Sequence, residues 1–468
     1  MSHARPGRLP GVEVLTAADA EQAQARAAGA LVAAGCAAGD RVAFCLPSSA
    51  ALLCAVLGSL RIGLVPVLLN ATLTGAERDV LLADAAPSLV VTDAGSLARL
   101  DAGTPVALAP CPLARPMHYT SGTTGRAKGV WSGIWDPATA AAALADEADQ
   151  WSFGPDDVHL VCSPMYHSVS VRFAGGTLLA GGTCVVLDRF EAVTAAAALE
   201  GGAGPVPTTA FMAPSALGRL LALPDTSPGR FRSLRLLAHA GSACPPALKH
   251  AALAVVAPDV LWEFYGSTEG QFAACPGDEW LTHPGTVGRA RRGRELSVDD
   301  DGTVWCRPPD FQRFVYWGDE AKTEAAWRDG AFTVGDLGRL DAEGYLYLEG
   351  RRDDLVITGG VNVYPAEVEA SLADVDGVAE VAVFGLPDER WGHQVCAAVV
   401  PAAGVDPDGL RDALERHARE YLAGYKRPKR YDVVDALPRT ATGKVQRLRL
   451  PDIVAPDLVE GPAQDGAT

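Results

Sequence analysis

Short apolar runs alternate with longer amphipathic ones through most of this chain. "GDRVAFCLP" (39–47) is a Gly-Asp turn leading into an apolar run, which predicts a strand; Ser48 to Ile62 then reads as a helix. "GLVPVLLN" predicts the next strand, "TGAERDVLLADA" the next helix, and "PSLVVTD" another strand. Thr74 stands as N-cap of that second helix with Glu77 three residues on, the spacing of a capping box. After residue 150 the alternation resumes: "VHLVCSP", "GGTCVVLD", "TTAFMAP", "LRLLAHAG" and "VLWEFYG" are strands with helices between them. Such spacing predicts βαβ units and a parallel sheet. Near residue 300 the period shortens, and "DDDGTVWCRPPD" and "DGAFTVGDLGRLDAEGYLYLEGR" read as hairpins with Gly turns. A fresh α+β unit begins after the charged run "GRRDD" (350–354): strand "LVITGG", helix "PAEVEASLADV", strands "VAEVAVFGLPD" and "QVCAAVVP", helix "DGLRDALERHAREYL". The expected architecture is therefore α/β. A large N-terminal domain (1–352) of βαβ subdomains with a small β-barrel-like part precedes a small α+β domain (353–468). No repeat of 20–50 residues is visible, and the Pro/Gly/Asp-rich tail after about 455 reads as frayed.

Length and charge narrow the function classes. With 468 residues, 48% of them apolar, the chain can bury large cores and exceeds one ordinary domain. Its 40 basic and 57 acidic residues leave a net charge of −17, which argues against a nucleic acid or an anionic membrane as partner. A polyanionic ligand has to be held by local groups. The ten cysteines (36, 45, 54, 111, 162, 184, 244, 275, 306, 396) form no CxxC pair, so zinc spacing and a disulfide scaffold are both poor fits. Reduced, mostly buried thiols in a cytoplasmic protein are the expectation. The N-terminus has no apolar signal core. The longest apolar run, "AALLCAVLGSL" (50–60), stops at Arg61 and is too short to span a bilayer.

The stretch with most chemistry is "HYTSGTTGRAKGV" (118–130). Thr120, Ser121, Thr123 and Thr124 offer hydroxyl donors, Gly122 and Gly125 let backbone N–H groups turn toward an anion, and Lys128 adds a point charge. A Walker A loop would need GxxxxGK[ST]; Ala127 and Gly129 break that pattern. Ser/Thr/Gly runs are common surface loops, so this stretch alone leaves that reading open.

"YTSGTTGRAKGV" resembles the phosphate loop of the ANL superfamily: acyl- and aryl-CoA synthetases, peptide-synthetase adenylation domains and firefly-type luciferases. Four further stretches resemble its motifs in order: "FYGSTEG" (264–270), "TVGDLGRLD" (333–341), "GRRDDLVITGGVNVYPAEVE" (350–369) and "PRTATGKVQR" (438–447). The likeness runs over roughly residues 30 to 450 and points to the AMP-forming carboxylate–CoA ligase branch. It implies two steps. A carboxylate attacks the α-phosphate of ATP to give an acyl-adenylate and pyrophosphate; a thiol, usually that of coenzyme A, then takes the acyl group and releases AMP. Positive charge and Mg2+ are needed where two anions meet.

The resemblance also assigns roles. Glu269 matches the magnesium ligand and Thr268 an α-phosphate contact. Lys444 matches the lysine that bridges the reacting carboxylate and the α-phosphate. Tyr265 would stack on adenine, and Gly241, Ser242, Ala243, Glu263, Phe264, Gly266 and Ser267 would complete the nucleotide site. Asp336 would take the ribose hydroxyls, with Arg351 as a ribose or phosphate partner. Asp353 matches the hinge, and Gly359 and Gly360 the tunnel for the pantetheine arm. His167, Ser168, Val171, Arg172, Ala238, Ala240 and Ser267 would line the acyl pocket. For His167 a gate and an ordinary turn histidine are both left open, and Arg172 either meets a polar group or lies outside. Standing alone, Glu269, Asp336 and Lys444 would be better read as turn or surface residues; their motifs reverse that.

The sequence departs from the family at Ala127 (usually Pro), Val334 (usually Thr) and Val315 (usually Gly), and its N-terminal part is read as trimmed. The expected partners are a small-molecule carboxylic acid and coenzyme A, with a homodimer allowed. One rival is an adenylation enzyme that loads a carrier protein or an amine. A catalytically dead scaffold is the other, disfavoured by the joint presence of Lys444, Glu269 and Asp336.

Overall fold

The first sheet is built from the strands the apolar runs predict. In this computed structural model residues 9–120, 128–351, 354–358, 361–388, 391–439 and 445–456 are described, by backbone alone at 120, 361 and 362. Six strands lie in the order Val315–Tyr316, Lys128–Trp131, Met117–Thr120, Val65–Leu68, Arg41–Phe44, Leu89–Val91. The last four are parallel, and Lys128–Trp131 pairs antiparallel with Met117–Thr120. The helix Ala50–Arg61 is buried nearly all round, as its unbroken apolar run requires. The helix Gly75–Ala85 does start at a Thr74–Glu77 capping box.

The second sheet has eight strands in the order Val12–Thr16, Thr183–Leu187, Val158–Val161, Thr209–Met212, Leu236–His239, Leu261–Gly266, Gln271–Pro276, Arg289–Ala290. Its centre is parallel, as expected. Its edges are not: Val12–Thr16 runs antiparallel to Thr183–Leu187, and Gln271–Pro276 antiparallel to Leu261–Gly266. A four-residue return between Gly266 and Gln271 cannot make a parallel crossover, which needs a dozen residues or more. Helices cover the parallel strands, so those strands read as continuous apolar runs. One aromatic cluster of this sheet joins Trp151, Phe173, Phe211 and Phe264, with Phe173 fully buried. The part expected to be barrel-like contains a four-stranded sheet of Glu295–Val298, Val304–Arg307, Ala331–Phe332 and Trp327–Arg328.

The chain divides into two compact units. The larger comprises Met1–Ser297, Trp305–Val334 and Leu340–Leu346; the smaller comprises Val298–Val304, Gly335–Arg339 and Tyr347–Thr468. In the smaller unit a five-stranded sheet carries the helices Pro365–Ala373 and Pro407–Tyr421 against one core of Val, Leu and Ala side chains. All ten cysteines are free, and nine are buried. Among the described residues no helix is long and apolar enough to cross a membrane.

Two buried histidines tie stability to pH. Burial pushes the His118 and His159 imidazoles down to about 3. An unfolded histidine takes up its proton near pH 6.5, whereas these folded ones stay neutral until far lower. Their contribution is therefore present above about pH 6.5 and is lost as pH falls toward 3, by up to about 1.4 kcal/mol per pH unit each. The melting temperature is expected to fall steadily below pH 6.5 by differential scanning fluorimetry, and His159→Gln to flatten that slope.

Candidate active site

Parallel strands deliver their loops to one edge of a sheet, where ligands of open α/β folds bind. Leu236–His239 and Leu261–Gly266 are neighbours, with His239 opposite Glu263, so residues 240–245 and 267–270 leave the same edge side by side. The loop after Val158–Val161 carries His167 to this edge too, and Ser168 begins the helix Ser168–Leu179 there. The first of these loops turns at Gly241, whose φ of +95° suits glycine alone. The second turns back at once: the Ser267 N–H donates to the Gly270 carbonyl at 2.8 Å.

Several expected residues come together here. Thr268 and Glu269 sit on the tight return after Tyr265, which packs on Phe272 with ring centroids 4.7 Å apart. Glu269 is buried, and its Oε1 accepts the Tyr316 hydroxyl at 2.9 Å. Tyr316 lies on the strand that pairs with Lys128–Trp131, in register with Val130. The Lys128 ammonium lies 5.7 Å from the Tyr316 ring centroid, and Lys322 lies 5.5 Å from it. One tyrosine thus touches both the lysine that ends the Gly-rich loop and the carboxylate of the YGSTE turn. The Arg115 Nη2 donates to the Thr268 carbonyl at 3.1 Å and holds that turn from behind.

The expected acyl-pocket residues surround the aromatic cluster. Ala238 and Ala240 are buried within it, and Val171 is buried on the neighbouring helix. The Arg172 guanidinium lies 5.3 Å from the Phe264 ring centroid. His167 packs its ring on Tyr166 at 4.6 Å and is the N-cap residue of its helix without a side-chain capping bond. Ser168 is half-buried, and Ser267 has a buried hydroxyl. Gly241, Ser242 and Ala243 are exposed, while Phe264 is buried.

Glu263 takes an unexpected partner. Its Oε2 accepts from Lys249 Nζ at 3.0 Å, and that ammonium also lies 2.7 Å from His239 Nε2. Lys249 is fully buried. Burial pushes the Glu263 carboxyl up and the lysine pulls it back; His239 is held well below its usual value by burial and by the same lysine, which keeps it a neutral acceptor.

In the smaller unit Asp336 is buried after Gly335 (φ +81°), and its Oδ1 meets Arg351 Nε at 2.9 Å. Arg447 reaches Glu369 at 2.7 Å and Asp354 at 3.1 Å, pinning the stretch after "TGK" to the segment after "GRRD". Ser121, Gly122, Thr123, Thr124, Gly125, Asp353, Gly359, Gly360, Lys444 and the side chain of Thr120 lie outside the described residues.

Residues 9–112 and 115–310 match the family described as AMP-binding enzyme, and residues 367–444 match its C-terminal domain. This chain belongs to the AMP-binding enzyme family. It is a member of the ANL superfamily, on the acyl-CoA synthetase branch. It is 31% identical over 460 residues to a 2-succinylbenzoate–CoA ligase of Bacillus licheniformis, covering 91% of this chain and 92% of that one. It is 34% identical over 471 residues to the fatty acid–[acyl-carrier-protein] ligase ScoC of Streptomyces coeruleorubidus, covering 91% and 89%. The o-succinylbenzoate coenzyme A synthetase of Bacillus subtilis, solved with ATP and a magnesium ion, superposes with a TM-score of 0.81 at 27% identity, covering 93% and 94% of the two chains.

Sequence reading of this family member missed Tyr316, Arg115 and Lys249. "VYW" drew notice only for lacking a glycine, and nothing local marks "LARPM" or "ALKH". The Lys249 pair is open to direct test. Lys249→Met leaves a carboxyl buried without its cation and is expected to destabilise the larger unit by about 3–5 kcal/mol. Lys249→Met with Glu263→Leu should recover most of that in urea unfolding; a double variant no more stable than the single one would show that the pair is not what holds these strands.

Proposed function

We propose that this enzyme joins a carboxylic acid to coenzyme A in two steps, the first of which consumes ATP. In the first, a carboxylate oxygen attacks the α-phosphorus, the bond to the bridging oxygen breaks, and pyrophosphate leaves. In the second, the thiol attacks the acyl carbon and AMP departs with the oxygen that came from the acid. The observation that supports the reading is the Tyr316 contact pair: the Lys128 ammonium and the Glu269 carboxylate meet one side chain, a cation and a carboxylate of the kinds that a triphosphate with its metal ion would need.

Each residue has a task in this account. Residues 120–125 and Lys128 hold the β- and γ-phosphates, and Thr268 meets the α-phosphate. Glu269 fits magnesium, which binds through one or two carboxylates plus substrate phosphates; Tyr316 steadies the carboxylate that would hold it. Bound there, the ion would neutralise phosphate charge. Tyr265 and residues 241–243 flank the adenine, and Asp336, set by Arg351, takes the ribose hydroxyls. Lys444 would act between the reacting carboxylate and the α-phosphate, where a cation lowers the cost of bringing two anions together. The domain boundary is placed at residues 352/353, with Asp353 the hinge that withdraws Lys444 and brings Gly359 and Gly360 to the thiol. We place the enzyme in the cytoplasm.

A carrier-protein acceptor is the second reading, favoured by the likeness to the ScoC ligase. Pyrophosphate release against aliphatic, aryl and polycyclic acids, with mass spectrometry of the products, separates the two. A thioester formed on free coenzyme A is the expected product; turnover that requires a carrier protein or an amine overturns that acceptor. Lys444→Ala is expected to slow adenylate formation at least about 100-fold while sparing thioester formation from a supplied acyl-adenylate. Survival of both half-reactions would remove Lys444 from the mechanism.

A further inference from the structure

Beside the Phe264–Glu269 segment lies a group of guanidiniums that the proposed reaction does not use. Arg291 and Arg294 are both held by carboxylates, although the Arg294 Nε is itself buried without a partner. Arg294 grips Asp146 with two bonds of 2.5 and 2.8 Å, and Arg291 reaches Asp146 at 3.3 Å and Glu147 at 3.5 Å. Glu147 also accepts from Gln271 Nε2 at 2.6 Å and Trp151 Nε1 at 3.2 Å. Both carboxylates are thus crowded with donors.

Arg172 and Arg115 are different. Arg172 Nε lies 3.2 Å from Glu147 Oε2, but neither Nε nor Nη2 makes a hydrogen bond, and both atoms are buried. Arg115 donates through Nη2 to Thr268, while its Nη1 is buried without a partner. The Ser267 hydroxyl, one residue before that carbonyl, is buried and unpartnered as well. Arg61, a buried strut elsewhere in this protein, looks otherwise: it pairs with Glu21, Gln24 and the Ala109 carbonyl.

Charge gives the same answer. Four guanidiniums face Asp146, Glu147 and Glu269. Glu269 already serves Tyr316 and, in the proposed reaction, a metal ion. A buried cation with unsatisfied donors is costly unless an anion completes it. The Arg172 side chain keeps 17% of its surface accessible, but Nε and Nη2 themselves are covered, so a ligand has to displace what covers them. Arg172 sits against Phe264, a member of the aromatic cluster on the strand that leads into the Thr268–Glu269 turn.

We propose that the acid activated by this enzyme carries a second anionic group, a carboxylate, and that Arg172 binds it, with Arg115 adding to the positive field. The planar fork of arginine suits a carboxylate in two-point contact. This rests on the ligase reading and on the place of Arg172 in the acyl pocket.

The test compares matched acids: hexanoate with adipate, octanoate with suberate, and phenylbutanoate with its ring-carboxylated analogue. Binding to the full-length enzyme is read by calorimetry, and kcat/KM by pyrophosphate release. The dicarboxylate of at least one pair is expected to bind more tightly and to lead in kcat/KM by about 100-fold, the discrimination of a site whose buried donors need an acceptor. Arg172→Gln is expected to collapse that ratio toward one, and Arg172→Lys, which keeps charge but loses the fork, to restore part of it; retained ATP affinity certifies that both variants are folded. Equal or tighter binding of the monocarboxylate in every pair overturns the proposal, and so does a ratio that Arg172→Gln leaves unchanged. Turnover of monocarboxylates alone would overturn it while leaving the ligase reading intact. Preferential dicarboxylate binding lost in Arg172→Gln, with no pyrophosphate from any acid, would support the anion site and count against the ligase reading instead.

Discussion

The hydrogen bond from Tyr316 to Glu269 ties a short strand to a turn 47 residues away. It is possible only because the short strand Val315–Tyr316 adds to the edge of Lys128–Trp131, beside the Gly-rich loop. The reaction sets two anions against each other, so its charges must be fixed before substrates arrive. A carboxylate that is buried, single and steadied by one hydroxyl meets that demand better than a flexible surface glutamate. Arg115 does the same from the other side, through the Thr268 carbonyl.

The two sheets divide the labour. The six-stranded sheet presents the ends of Met117–Thr120 and Lys128–Trp131, between which runs the stretch assigned to the leaving phosphates in the proposed reaction. The eight-stranded sheet presents the turns after Leu236–His239 and Leu261–Gly266, where nucleotide and acyl group would lie. Lys249 braces those two strands from inside through His239 and Glu263, a polar strut in an otherwise apolar sheet. In the smaller unit Arg447 performs a similar service, joining Glu369 and Asp354 so that the chain after "TGK" is anchored.

Local signals were legible in the sequence. Strands such as Arg41–Phe44, Val158–Val161 and Leu261–Gly266 follow from apolar runs bounded by turn residues, and the Thr74 cap follows from a three-residue spacing. The motif residues Glu269, Tyr265 and Asp336 stood out because short motifs carry them. What escaped was long-range. Arg115 meets Thr268 across 153 positions, and Glu147 meets Gln271 across 124. Such pairs are set by which strands become neighbours, which no local window contains. The antiparallel edge strand Val12–Thr16 was missed for the same reason: its partner, Thr183–Leu187, is far along the chain.

The account stands or falls on one bond-forming event, attack of a carboxylate oxygen on the α-phosphorus. An acid labelled with 18O in both carboxylate oxygens, turned over with ATP and coenzyme A, reports it directly by mass spectrometry of the nucleotide. AMP carrying one 18O atom and a thioester retaining the other are the expected products. Unlabelled AMP, or label in inorganic phosphate alongside ADP, would contradict it.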